Sequence, residues 1–90
     1  MKTIEELKQF LVTSLPNEKI YLFGSRARGD ERIHSDIDIA VESERALSEK
    51  LAQIRYTIEE SLLPYKVDIV DLSKAPYLKG VIDKEGIRWV

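Results

Sequence analysis

No cysteine occurs in this chain of 90 residues. That removes disulfides, thiolate nucleophiles and thiolate zinc sites in one step, and leaves packing to stabilise the fold. Long apolar runs are missing too. Nothing approaches the ~18 residues of a membrane span. The opening Met1-Lys2-Thr3-Ile4-Glu5-Glu6 lacks the apolar stretch of a signal peptide. Nor is there an excess of positive charge: 14 Lys plus Arg stand against 16 Asp plus Glu, a formal charge of −2. No general basic surface is therefore available to hold a nucleic acid backbone through counterion release. Internal repeats, linkers and low-complexity segments are likewise absent. Ninety residues are one domain's worth of chain, too few for a two-domain enzyme with its own lid. What is present, 43% apolar and 33% charged residues, is the make-up of an ordinary folded domain. The expectation is a single domain, residues 1–90, full length and cytoplasmic, with no membrane attachment and no sequence-independent nucleic acid binding.

The apolar spacing divides the chain into alternating elements. Thr3 followed by Glu6 is a capping-box pattern, and Ile4, Leu7, Phe10, Leu11 and Leu15 then recur at helical spacing until Pro16 and Asn17, which predicts a helix over 3–15. Ile20-Tyr21-Leu22-Phe23 is β-prone and ends abruptly at Gly24, as a buried strand entering a turn does. The period then switches to two: Ile37, Ile39 and Val41 alternate with Asp36, Asp38, Ala40 and Glu42, a strand with one buried face. Over 43–62, Leu47, Leu51, Ile54, Ile58 and Leu62 form an amphipathic helix closed by Pro64, expected to pack on the Ile37/Ile39/Val41 face. Residues 66–70 read as a third strand with Val67 and Ile69 on one face and Asp68 on the other. Ser73 with Pro76 starts a weakly striped helix (Leu78, Val81, Ile82) that Gly86 caps, and 87–90 form a short last strand. The fold class is therefore α/β (α+β), a small mixed β-sheet with helices packed on one face and the other face open.

That open face carries the chemistry. Asp36 and Asp38 lie at i and i+2 of one strand, so their carboxylates project to the same side roughly 6.6 Å apart along the backbone. Asp68 joins them if its strand lies alongside. Three carboxylates on one patch repel one another without cations, and hard oxygen ligands of this kind suit Mg²⁺ or Mn²⁺ held partly by substrate phosphates. Two such ions ~3.5–4 Å apart serve in-line displacement at phosphorus. An Asp-x-Asp pair can equally be a solvated strand face, so the neighbouring turn, Gly24-Ser25-Arg26-Ala27-Arg28-Gly29, matters. A glycine at a strand end lets the backbone approach a phosphate, and a helix starting at Ser25 aims N–H groups and a hydroxyl at an anion. Arg26 and Arg28 can add charge-assisted contacts. The turn is not a P-loop, because Asp30-Glu31 stands where Lys-Ser/Thr is required. Nor is Asp36-Ile37-Asp38 an EF-hand, because Ala40 and Val41 occupy positions that need an oxygen ligand and glycine. A metal site must be assembled from separate strands.

Taken together, strand, Gly-Ser turn, Ser35-Asp36-Ile37-Asp38-Ile39-Ala40-Val41, helix and a strand bearing Asp68 resemble the DNA polymerase beta-like nucleotidyltransferase superfamily. Within it the sequence is most similar to the minimal nucleotidyltransferase (MNT) proteins of prokaryotes, over roughly 20–86. The resemblance implies a polymerase beta palm-like fold. It also implies transfer of a nucleoside monophosphate, AMP from ATP, to a hydroxyl acceptor, with pyrophosphate leaving. By matching position, Gly24 and Ser25 would hold phosphate, and Asp36 and Asp38 would hold two divalent ions, Mg²⁺ or Mn²⁺. Asp68 would complete the metal site and accept the acceptor's proton. Arg28 is the preferred phosphate contact, since the family often has arginine there, and Arg26 is left to a surface ion pair. His34 reads as an exposed loop residue before it reads as a general base. Tyr65, Tyr77 and Trp89 could stack on a base but are equally explained by packing, and Lys79 and Lys84 read as a solvated helix face.

A catalytic fold of this size leaves no chain for gripping the base or the acceptor, which calls for a partner and for a homo- or hetero-oligomer. In the resembled family such proteins pair with a HEPN-domain toxin, and some are thought to inactivate it by AMP transfer to a tyrosine. Two alternatives remain open: a non-catalytic antitoxin that masks its partner, and a small-molecule nucleotidyltransferase.

Overall fold

The computed structural model describes residues 1–30, 32 and 35–90. The first helix, α1 (Ile4–Ser14), starts where the capping signal stands: Thr3 Oγ1 accepts the Glu6 N–H at 3.1 Å, and Glu6 Oε1 accepts the Lys2 N–H at 3.2 Å. Its Leu7 and Leu11 are buried. Strand β1 (Lys19–Phe23) leads through the Gly24 turn into a single-turn helix, α2 (Ser25–Arg28). Strand β2 (Ile37–Glu42), helix α3 (Ser48–Glu59) and strand β3 (Val67–Asp71) follow as a parallel crossover unit. A 3₁₀ turn (Pro76–Leu78), helix α4 (Lys79–Glu85) and strand β4 (Ile87–Arg88) complete the chain.

The four strands form one mixed sheet in the order β3-β2-β1-β4, antiparallel between β1 and β2 and between β1 and β4. Register decides which side chains share a face. Ile20 pairs with Val41 and Leu22 with Ile39, while Ile39 also pairs with Ile69. These apolar residues meet Leu7, Leu11 and Leu15 beside α1 and Leu51, Ile54 and Ile58 of α3 in the main core. The predicted packing of the Leu47/Leu51/Ile54/Ile58 helix on the Ile37/Ile39/Val41 face is thus observed, and α1 joins it there.

The last helix departs from the one-face expectation. A second, smaller core of Ala40, Leu72 and Ile82, with Tyr21, Phe23 and Leu78 against it, lies on the opposite side of the sheet. Ala40 alternates with Ile39 and Val41, so burying it requires cover on the other face, and α4 supplies it with Ile82. Half of the face expected to be open is therefore closed, and the half that bears Asp38 is not. Helix α3 is also shorter than the predicted 43–62. Ser43 Oγ accepts the Arg45 N–H in a local turn at one end, and Ser61 bonds back to the Ile58 carbonyl at the other. Leu62, predicted on the buried stripe, is 72% exposed.

Ser43 and Arg45 instead serve Glu18, which is buried immediately before β1. Arg45 donates two N–H groups to Glu18 Oε2, at 3.2 and 2.5 Å. Burial alone would raise the Glu18 pKa, but the bonds from Arg45 and Ser43 outweigh it and bring it below the ordinary value. Arg45→Ala strands this carboxylate and should cost about 1–3 kcal/mol at neutral pH. A depressed carboxylate contributes stability above its unfolded pKa and loses it as pH falls through the folded value. Chemical denaturation should therefore find the deficit at pH 7 and a smaller one in acid.

Candidate active site

Strand β1 ends at Phe23, whose register partner on β2 is Asp38, so the next residue must turn away across the Asp38 side chain. Gly24 does so at φ 78 and ψ −157, a conformation essentially confined to glycine. A Cβ there would run into the Asp38 carboxylate. The Gly24 carbonyl accepts N–H bonds from Ala27 and Arg28, both at 3.1 Å, which closes the single turn of α2 directly behind Ser25. The Gly-Ser turn predicted from sequence is thus packed on Asp38, the second of the predicted strand carboxylates.

In the parallel ladder Asp38 is paired with Asp68. Directly paired residues share a face, so the two carboxylates stand side by side, and Asp36 lies immediately before β2. Burial first, and then the charges of Asp68 and Asp36, raise the Asp38 pKa above the ordinary value, while Arg28 and Lys66 oppose the shift. Among the described residues none of the three carboxylates is ion-paired. Among the same residues no three acidic or histidine side chains are drawn into a preformed cation cage. The geometry therefore joins Asp38 and Asp68 and sets Asp36 beside them without closing a ligand sphere. The donor set, three unpaired carboxylates in mutual repulsion, fits a hard divalent cation. A groove of about 580 Å³ runs past Asp38 and Asp68, with Lys66, Tyr65 and Arg55 on its walls. A larger hollow, about 670 Å³, lies at the far end of the sheet between Asn17, Glu42, Arg45 and Lys79 and holds none of the predicted site residues.

The arginines of the turn have separate tasks. Arg28 donates from Nε to Asp30 at 3.2 Å and from Nη1 to Glu85 at 3.1 Å, linking the turn to α4. Arg26, expected in a surface ion pair, makes none among the described residues. Its Nε and Nη2 donate to the Ser35 carbonyl at 3.2 and 3.0 Å, and its guanidinium lies 4.7 Å from the Tyr65 ring centroid. No sequence period signals this contact, which joins three separate segments. Of the aromatics, Trp89 packs on the main core and Tyr77 is 80% exposed. Lys79 pairs with Glu42 at 3.4 Å. His34 lies outside the described residues.

A family model described as polymerase beta, nucleotidyltransferase matches residues 5–88. The chain belongs to the polymerase beta nucleotidyltransferase family. Nucleotidyltransferases of this family take a nucleotide as substrate, and in this member Asp38 and Asp68 stand paired and partly buried on neighbouring strands. A protein of Methanocaldococcus jannaschii named a protein adenylyltransferase is 36% identical over 98 aligned residues, covering 94% of this chain and 96% of that protein. Among solved structures, a mutant of the MntA toxin–antitoxin is 31% identical at a TM-score of 0.73, over 98% of this chain and 72% of the matched one. A toxin–antitoxin with AMP-PNP is 28% identical at a TM-score of 0.73, over 92% of this chain and 72% of the matched one. The mixed sheet and its helices are therefore the polymerase beta-like fold. Among the described residues no helix of this nucleotidyltransferase is long and apolar enough to cross a membrane.

Proposed function

We propose that this nucleotidyltransferase is a cytoplasmic, single-domain protein adenylyltransferase that moves AMP from ATP to a tyrosine hydroxyl of a HEPN-type toxin, and so acts as its antitoxin. The observation that carries the reading is the pairing of Asp38 with Asp68 beneath the Gly24 turn. The near full-length similarity to a relative named a protein adenylyltransferase, and to antitoxin structures of which one holds AMP-PNP, supports the choice of nucleotide and partner.

Asp36, Asp38 and Asp68 would hold two divalent ions, Mg²⁺ or Mn²⁺. When bound, such ions supply positive charge against the triphosphate and the departing pyrophosphate. The chain's own groups do the rest. Gly24 brings the turn's backbone close to the phosphates, unobstructed by a side chain, and the Ser25 hydroxyl contacts them. Arg28 exchanges its carboxylate partners for phosphate oxygens. The acceptor oxygen bonds to the α-phosphorus, the bond from that phosphorus to the β-bridging oxygen breaks, and the hydroxyl proton passes to Asp68. Orientation of the acceptor tyrosine falls to the partner that carries it.

Incubation with Mg²⁺, ATP labelled at the α-phosphate and the HEPN partner tests the reading. Label should appear on the partner, and it should be absent with γ-labelled ATP and with the Asp36→Asn/Asp38→Asn double variant. A stable, neutralising complex that carries no label would instead make the protein a masking antitoxin.

A further inference from the structure

We infer that Arg26 is a positioning residue that fixes the backbone on either side of Asp36, and through it the metal-binding geometry of the site; this rests on the nucleotidyltransfer reading. Asp36 is preceded and followed by pinned peptide groups. On one side the Ser35 carbonyl receives both Arg26 bonds, at 3.2 and 3.0 Å. The Ser35 N–H meanwhile donates to the Arg32 carbonyl at 2.9 Å, and its hydroxyl accepts the Arg32 N–H at 2.7 Å. On the other side the Ile37 N–H donates to the Lys66 carbonyl at 2.9 Å.

The residue before Lys66 is Tyr65, and its ring carries the Arg26 guanidinium. The contacts therefore close a circuit: Arg26 to Ser35, through Asp36 to Ile37, across to Lys66, and through Tyr65 back to Arg26. Asp36 sits on that circuit, while Asp38 stands one residue beyond it on β2 and Asp68 two residues beyond it on β3. Arg26 itself grows from α2, next to Ser25. Arg26 thus ties the Gly-Ser turn to Asp36, the carboxylate that the β1–β2 pairing does not reach, and sets it against the Asp38–Asp68 pair that the sheet already holds.

Arginine is required for this. Two N–H groups of one planar fork meet a single carbonyl while the face of the fork lies on a ring, and a lysine ammonium offers neither the fork nor the flat face. Elsewhere, groups that orient metal ligands without touching the metal are worth 10–100-fold in affinity.

The test is Mn²⁺ binding, followed by electron paramagnetic resonance without nucleotide, together with amide hydrogen exchange at Ile37. Arg26→Gln should speed Ile37 exchange and weaken Mn²⁺ binding about 10-fold. Arg26→Lys should not restore either. Tyr65→Phe, which keeps the ring, should behave as the parent, and Tyr65→Leu should lie between the parent and Arg26→Gln. Tyr65→Leu also serves should Arg26→Gln fail to fold. Unchanged exchange and unchanged Mn²⁺ binding in Arg26→Gln overturn the inference whatever the enzyme's activity. If both change while the parent transfers no AMP, the positioning role stands and the adenylyltransfer reading falls.

Discussion

Asp38→Asn should abolish nucleotidyl transfer and at the same time raise the melting temperature at pH 7. The two effects share one cause. Burial and the neighbouring charges of Asp68 and Asp36 raise the Asp38 pKa, so its ionised form is held in a place the fold alone does not favour. For a carboxylate whose folded pKa lies above its unfolded value, the folded state binds more protons between those two values. Stability therefore falls as pH rises through that window, and the loss is complete above it. Asparagine keeps the shape and removes the charge, so the variant escapes the loss at pH 7 and gains nothing at pH 3, where the aspartate is itself protonated. In a domain of this size each kcal/mol relieved is roughly 4–8 °C in melting temperature. Transfer should fall by at least about 10²–10³-fold, the scale seen when a single pre-organised electrostatic group is removed from an active site. Mg²⁺ sharpens the contrast: at 100 times its dissociation constant a ligand of the folded state adds about 2.7 kcal/mol. The parent should gain from Mg²⁺ and the variant should gain little. Thermal melts at both pH values, with and without Mg²⁺, check this. A variant less stable than the parent at pH 7 would show that Asp38 is held for structure.

The elements legible in the sequence were those set by local period. The alternation of Ile37, Ile39 and Val41 with Asp36, Asp38 and Ala40 gave the strand, its buried face and its acidic face together, because side chains on a strand can only alternate. Thr3 and Glu6 place the start of α1 to within one residue, with Thr3 itself the N-cap. Legibility stopped where distance along the chain took over. The pairing of Asp38 with Asp68 was an expectation conditional on β3 lying next to β2, and register between segments 30 residues apart is written in no local pattern. The half-coverage of the acidic face turns on Ile82 alone of the residues of α4, and the weak stripe of Leu78, Val81 and Ile82 does not say which face of the sheet that helix covers. Glu18, between Asn17 and Lys19, reads as loop polarity until Arg45 is brought over it. Arg26 reads as a surface charge because its partners, a backbone carbonyl and an aromatic face, leave no charge signature in the sequence.

Gly24→Ala should cost both stability and transfer, and the comparison with Gly29→Ala separates the reasons. Both glycines have positive φ, 78 and 81. Gly29 lies in the ordinary left-handed region with nothing within 4 Å of an added Cβ, so alanine there meets only the backbone cost, of order 1 kcal/mol. Gly24 combines φ 78 with ψ −157, where a side chain costs on the order of 1–3 kcal/mol by itself. Its Cβ would also enter the space of the Asp38 carboxylate. Relief requires the turn to lift or Asp38 to swing toward Asp68, and either movement separates the phosphate-holding turn from the carboxylates it is packed on. A displacement of about 1 Å at a reacting centre is enough for a 10²-fold loss. The expected result is therefore a modest drop in melting temperature with transfer retained for Gly29→Ala. Gly24→Ala should show a larger drop and about 10²-fold slower transfer. Equal behaviour of the two variants in both assays would mean that Gly24 serves only the bend of the chain, and that the turn and Asp38 do not act as one unit.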